Sequence, residues 1–124
     1  MKAVDDLLSL ARDDPDVLAV LLYGSQARGD AGPRSDTDVC LVLRDGFPRD
    51  DLPGKALAYL GFNLDARLFQ ALPLPLRRRI LREGKVLFVR DEDGLYNLAI
   101  RTAKAWEDFR HVYEDYLEAV GRGP

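Results

Sequence analysis

Apolar positions along the chain fall into a few distinct periods. Val4, Leu7, Leu8 and Ala11 recur at helical spacing, which predicts an amphipathic helix over residues 3–12. Asp13-Asp14-Pro15-Asp16 stops it. Val17-Leu18-Ala19-Val20-Leu21-Leu22-Tyr23 is a continuous apolar run of strand length, as expected of a strand buried on both faces, and Gly24 ends it abruptly. A turn-rich stretch with Gly29, Asp30, Gly32, Pro33 and Ser35 leads into a second strand from Thr37 to Leu43. Asp36, Asp38, Cys40 and Val42 share one face there, and Thr37, Val39, Leu41 and Leu43 the other. Asp45-Gly46 and Pro48 close this strand, and Leu52, Ala56 and Tyr59 or Leu60 predict a short helix over 51–60.

Gly61 opens a third predicted strand, with Phe62, Leu64, Ala66 and Leu68 on a core face and Asn63, Asp65 and Arg67 on a polar one. Pro73 and Pro75 start a helix through Leu76, Ile80 and Leu81, for which Gly84 is the expected C-cap. Val86 to Val89 reads as a short strand at a sheet edge. From Glu92 to Val120 a long helix carries Leu95, Ala99, Thr102, Trp106, Phe109, Tyr113, Tyr116 and Val120 at alternating steps of four and three. That stripe is either the side packed on the protein's own body or, in part, a face for a partner protein. The order is that of an α+β fold, a small mixed sheet of three or four strands flanked by helices. No repeat or linker is visible, so residues 1–124 read as one domain.

Composition narrows the classes. The 47% hydrophobic and 31% charged residues are those of an ordinary soluble globular protein. No stretch approaches the ~18 apolar residues that cross a bilayer. The first residues are acidic where a secretory signal is basic and then apolar. Cys40 stands alone, so no internal disulfide forms, and a cytoplasmic location is expected. A net charge of -3 disfavours direct nucleic-acid binding through the overall field. Arg77-Arg78-Arg79 reads more readily as a solvated helix face than as an RNA patch. The lone histidine, His111, lies far along the last helix, so Ser25 has no visible general base and a serine triad is disfavoured. Cys40, among apolar neighbours, reads as a packed small side chain.

The candidate chemistry lies around the second strand. Asp36 and Asp38, at i and i+2, project from one strand face, and two carboxylates aimed at one spot repel unless a cation joins them. Magnesium suits such a site, because it takes one or two carboxylates together with waters and substrate phosphates. Asp65 projects from the polar face of the next strand. If the two strands are neighbours with that face shared, three carboxylates converge, which is the equipment of a two-metal phosphoryl displacement. Asp45, Asp50 and Asp51 are poorer candidates because they sit in a loop. Gly24 lets the backbone approach a ligand closely. If Ser25 to Arg28 begins a helical turn, its free N–H groups and the serine hydroxyl make a phosphate-binding corner, with Arg28 near enough to help neutralise a polyphosphate.

Tyr23-Gly24-Ser25-Gln26-Ala27-Arg28-Gly29, a gap of ten residues after Ser25, and Ser35-Asp36-Thr37-Asp38-Val39 resemble the polymerase-beta-like nucleotidyltransferase superfamily. Within it the chain looks most like the minimal nucleotidyltransferases of the MNT type. The resemblance implies that Asp36 and Asp38 hold the catalytic metals, two magnesium ions. Asp65 would bind the metal that activates the attacking hydroxyl and take up its proton, and Gly24 and Ser25 would bind the triphosphate of ATP. It implies further that the chain is the antitoxin partner of a HEPN-type toxin, transferring AMP to a toxin hydroxyl, a tyrosine by expectation. Larger members carry a second domain that binds the acceptor, for which 124 residues leave no room. Two other functions remain: a non-catalytic antitoxin that works by occlusion, and nucleotidylation of a small molecule of the aminoglycoside kind.

Overall fold

A computed structural model of the chain describes residues 2–24 and 37–121. Helix α1 (Lys2–Asp13) is followed by strands β1 (Val17–Tyr23) and β2 (Asp38–Leu43), then helix α2 (Leu52–Ala58) and strand β3 (Asp65–Leu68). Helix α3 (Leu74–Glu83), strand β4 (Lys85–Val89) and the 30-residue helix α4 (Glu92–Gly121) complete the described chain. Single 3-10 turns at Arg49–Asp51 and Phe69–Ala71 lead into α2 and α3. The sheet order is β3-β2-β1-β4, with β1 antiparallel to both β2 and β4 and β2 parallel to β3. This is the expected mixed α+β sheet, with β4 at one edge.

Strand alternation sorts the core onto two faces. Val39, Leu41 and Leu43 of β2 pack with Val4, Leu7, Leu8 and Ala11 of α1 and with Leu52 and Tyr59 at either end of α2. Cys40 and Val42 point the other way, to Phe69, Leu72 and Ile80, with Leu95 and Leu98 of α4 against them. Both middle strands are therefore covered on two sides, which is why their sequences are nearly unbroken apolar runs. Burial pushes the Cys40 thiol up to about 12, so it is the packed, unreactive side chain that its neighbours suggested.

One expected boundary differs, and two expectations are sharpened. β3 begins at Asp65 rather than Gly61, because Gly61 and Asn63 have φ of 89° and 61° and turn the chain. Phe62 and Leu64 still reach the α1 side of the core from that turn. Gly84 is the C-cap of α3 as expected, its amide donating to the Ile80 carbonyl, but with an extended backbone, φ -71°. Its lack of a side chain serves close approach instead, since a Cβ there would lie 2.5 Å from the Ile80 carbonyl oxygen and 3.2 Å from that of Leu22. The aromatic stripe of α4 divides in two. Thr102 is buried and Trp106 half-buried, whereas Phe109, Tyr113, Tyr116 and Val120 are exposed. The stripe is thus core at its start and free surface at its end.

A polar belt closes the end of the sheet opposite Tyr23 and Asp38. Arg90, following β4, donates to the carbonyl oxygens of Ala11, Arg12, Asp14 and Val17, holding the end of α1 to the start of β1. Asp14 accepts from Lys55 Nζ at 2.9 Å, from the Tyr59 hydroxyl at 2.8 Å and from the Asp16 amide at 3.0 Å. Burial by itself raises the Asp14 pKa, but these hydrogen bonds outweigh it and hold the carboxyl below its ordinary value. A carboxylate whose folded pKa is depressed contributes stability above its unfolded pKa, and that contribution disappears as pH falls through the folded value. Asp14→Ala should therefore cost about 2 kcal/mol at pH 7. Urea titrations at pH 7 and pH 3 should show a smaller difference between variant and parent at the lower pH.

Candidate functional site

β1 and β2 are paired so that Tyr23 lies opposite Asp38, and β2 and β3 so that Asp38 lies opposite Asp65. Residues paired in this way point to the same side of a sheet, so Tyr23, Asp38 and Asp65 form one row across three strands. The row continues the face that carries Cys40 and Val42, the side packed by α3 and α4. Neighbouring strands stand ~4.8 Å apart, which brings the two carboxyl groups side by side. The Asp65 amide donates to the Thr37 carbonyl at 3.0 Å, carrying the pairing to the residue before β2.

Gly24 closes the row at its β1 end. Its φ is 75°, and a Cβ built on it would collide with Asp38 Oδ2 and stand 3.2 Å from Asp38 Cγ. The position needs glycine twice over: for backbone conformation, and to let the Asp38 carboxylate lie against the main chain. Asp65 Oδ1 accepts from Arg67 Nε at 3.2 Å, an exposed pair two residues apart on one strand face. Such pairs are weak, so Asp65 can exchange this partner readily. Burial, with the negative charges of Asp38 and Asp65 behind it, pushes the Tyr23 phenol up to about 12. Tyr23 therefore keeps its proton and stands in the row as a hydrogen-bond donor.

Two hollows flank the acidic row. One, of about 350 Å³, is bounded by Tyr23, Gly24 and Asp38 on the sheet and by Leu76, Arg79, Ile80 and Glu83 on α3. The other, of about 550 Å³, is bounded by Gly61, Asn63, Leu64 and Asp65 at the β3 edge. Asp38 thus faces one hollow and Asp65 the other.

Of the residues singled out in the sequence, Gly24, Asp38 and Asp65 come together here, while Ser25, Arg28 and Asp36 lie outside the described residues. Asp45 is at the far end of β2, its side chain 88% exposed and 3.8 Å from Arg101, remote from the row. Tyr23 and Arg79 line the candidate site and were not singled out for it in the sequence. Tyr23 had a signal, its parity with Ala19 and Leu21 on the strand; Arg79 had only its place in a basic run.

The donor chemistry fits a hard divalent cation. Two carboxylates side by side on one sheet face, next to a glycine that keeps the approach clear, are the oxygen donors magnesium accepts while retaining waters and phosphates. Among the described residues no third Asp, Glu, His or Cys joins Asp38 and Asp65.

A mixed sheet presenting paired carboxylates beside a strand-ending glycine is an arrangement suited to phosphoryl-group transfer. The chain belongs to the polymerase beta nucleotidyltransferase family, whose model matches residues 5–93. A Methanocaldococcus jannaschii protein that carries the provisional name protein adenylyltransferase is 34% identical over 105 residues, covering 84% of this chain and 82% of that protein. Among solved structures, a chain of a toxin–antitoxin complex with AMP-PNP has a TM-score of 0.69 at 20% identity, with 96% of each chain covered. A chain of the tri-AMPylated Shewanella oneidensis HEPN toxin in complex with MNT antitoxin has a TM-score of 0.67 at 16% identity, with 95% of each covered. At such identities the likeness to solved structures is one of fold. No described helix is long and apolar enough to cross a membrane.

Gly24→Ala tests the close approach directly. The left-handed backbone and the collision with Asp38 together should cost about 2 kcal/mol. Chemical denaturation should show that loss, and a crystal structure of the variant should show the Asp38 carboxylate displaced.

Proposed function

We propose that the chain transfers AMP from ATP to a tyrosine hydroxyl of a HEPN-type toxin, and so acts as its antitoxin. The observation that carries this reading is the in-register pair Asp38 and Asp65, set beside Gly24 and between two hollows. The relative named for protein adenylylation and the fold shared with chains of toxin–antitoxin complexes support the choice of acceptor. In this reading Asp36, Asp38 and Asp65 hold two magnesium ions, and Gly24, Ser25 and Arg28 hold the triphosphate. Bound magnesium would neutralise the phosphate oxygens and stabilise the charge that builds up during displacement.

The chain's own residues divide the remaining work. The nucleotide occupies the hollow between Gly24 and α3, and the acceptor hydroxyl enters from the β3 side, where Asp65 stands. The tyrosine oxygen attacks the α-phosphorus, the bond from that phosphorus to the bridging β-phosphate oxygen breaks, and pyrophosphate leaves. An Asp65 carboxylate oxygen takes up the hydroxyl proton. Tyr23, protonated and adjacent to Asp38, is placed to donate a hydrogen bond into the row. The reaction is expected in the cytoplasm.

Incubation with a HEPN-type toxin, α-labelled ATP and magnesium should label a toxin tyrosine with AMP, visible as a mass increase. Asp38→Asn should reduce the labelling rate on the order of 10²-fold or more. Neutralisation of the toxin should disappear with the label. Toxin neutralised without label, by parent and variant alike, would identify an antitoxin that works by occlusion.

A further inference from the structure

The arginine run Arg77-Arg78-Arg79 is not a uniform solvated face, because its three side chains go to three places. Arg77 lies over the Phe69 ring at 5.9 Å, and its buried Nε finds no hydrogen-bond partner among the described residues. Arg78 lies over the Trp106 ring at 4.9 Å and ties α3 to α4. Arg79 turns to the hollow that holds Tyr23, Gly24 and Asp38. There its Nε donates to Glu83 Oε2 at 3.1 Å, one helical turn further along α3.

We propose that Arg79 grips the β- and γ-phosphates of the nucleotide, the part that leaves as pyrophosphate, and that Glu83 is the partner it holds until a nucleotide arrives. The inference rests on the nucleotidyl-transfer reading above and adds a binding residue that the signature motif does not contain. Charge is the first reason. Among the described residues lining this hollow, Asp38 and Glu83 are acidic and Arg79 is the only cation. A triphosphate entering it needs positive charge on the protein side, distinct from whatever neutralises the carboxylates themselves.

Geometry is the second reason. Gly24 and Arg79 line the same hollow from sheet and helix, so a phosphate chain lying against Gly24 is within this hollow. The planar guanidinium matches two phosphate oxygens at once. The third reason is the ease of exchange. The Arg79 and Glu83 side chains are 60% and 41% exposed, and an ion pair of that kind is held weakly enough for phosphate to replace the carboxylate.

Calorimetric titration with magnesium and either AMP-PNP or AMP tests the assignment. Arg79→Gln should weaken AMP-PNP binding about tenfold and leave AMP binding unchanged, and Arg79→Lys should recover part of the loss. Glu83→Gln should tighten AMP-PNP severalfold, and that gain should vanish in the Arg79→Gln/Glu83→Gln double variant. Both positions are partly exposed, so unchanged melting curves should accompany these effects. Equal losses for AMP-PNP and AMP, or no loss for either, would overturn the role of Arg79. A gain from Glu83→Gln that persists without Arg79 would overturn the exchange of partners. A parent chain that binds neither nucleotide would overturn the nucleotidyl-transfer reading and this inference together.

Discussion

The parallel pairing of β2 with β3 sets Asp38 opposite Asp65, and the site's geometry depends on that register. A slip by one residue would turn Asp65 to the opposite face, toward the α1 side of the core, and bring Ala66 into the row. The register is held by core packing on one face and by hydrogen bonds along the strands. Leu68 packs with Leu41, its partner in the pairing, on the α1 side, and the Asp65 amide is bonded to the Thr37 carbonyl. Gln70 adds a further clasp: its side chain accepts from the Leu43 amide at 3.0 Å and donates to the Leu43 carbonyl at 2.9 Å. Core packing and hydrogen bonding thus position two like charges that would otherwise move apart.

Crowding carboxylates destabilises a fold unless stability comes from elsewhere, and here it comes from the other end of the sheet. Arg90 gathers carbonyls from the end of α1 and the start of β1, and Asp14, Lys55 and Tyr59 join α2 to the same corner. These groups are partly shielded from water, where hydrogen bonds to charge are strong. The acidic row is left beside two hollows, where its charge is accessible to ligands. One sheet therefore has a stabilising end and a chemical end.

Much of this was legible in the sequence, for physical reasons that can be named. The period of two put Asp38 on one face of β2 with Asp36, Cys40 and Val42, and Asp65 on the polar face of β3 with Asn63 and Arg67, from the sequence alone. The unbroken run of β1 announced a strand covered on both sides. Other features depend on contacts that no local period encodes. Whether the α4 stripe is core depends on how much of the body lies against it, and Thr102 is covered whereas Phe109 is exposed. Gly84 caps its helix as expected, but the close approach of the Leu22 carbonyl, far away in the chain, was not visible in the sequence. Three arginines in succession look alike in the sequence; the neighbours Phe69, Trp106 and Glu83 distinguish them.

The two hollows bear on how such a site chooses its acceptor. Asp38 faces a recess roofed by α3, while Asp65 stands at the edge of the sheet where Gly61 and Asn63 turn the chain. The recess has walls on two sides and suits a nucleotide, whose shape is constant. Among the described residues, the hollow at the β3 edge is lined by Gly61, Asn63, Leu64 and Asp65. In the proposed transfer, surface away from the reacting oxygen can add selectivity for an acceptor. The exposed end of α4, with Tyr113, Tyr116 and Val120 beside Glu114 and Glu118, is a large apolar surface of that kind. A protein acceptor of the kind proposed offers enough surface to engage such a helix face as well as the reacting edge, which a small molecule does not.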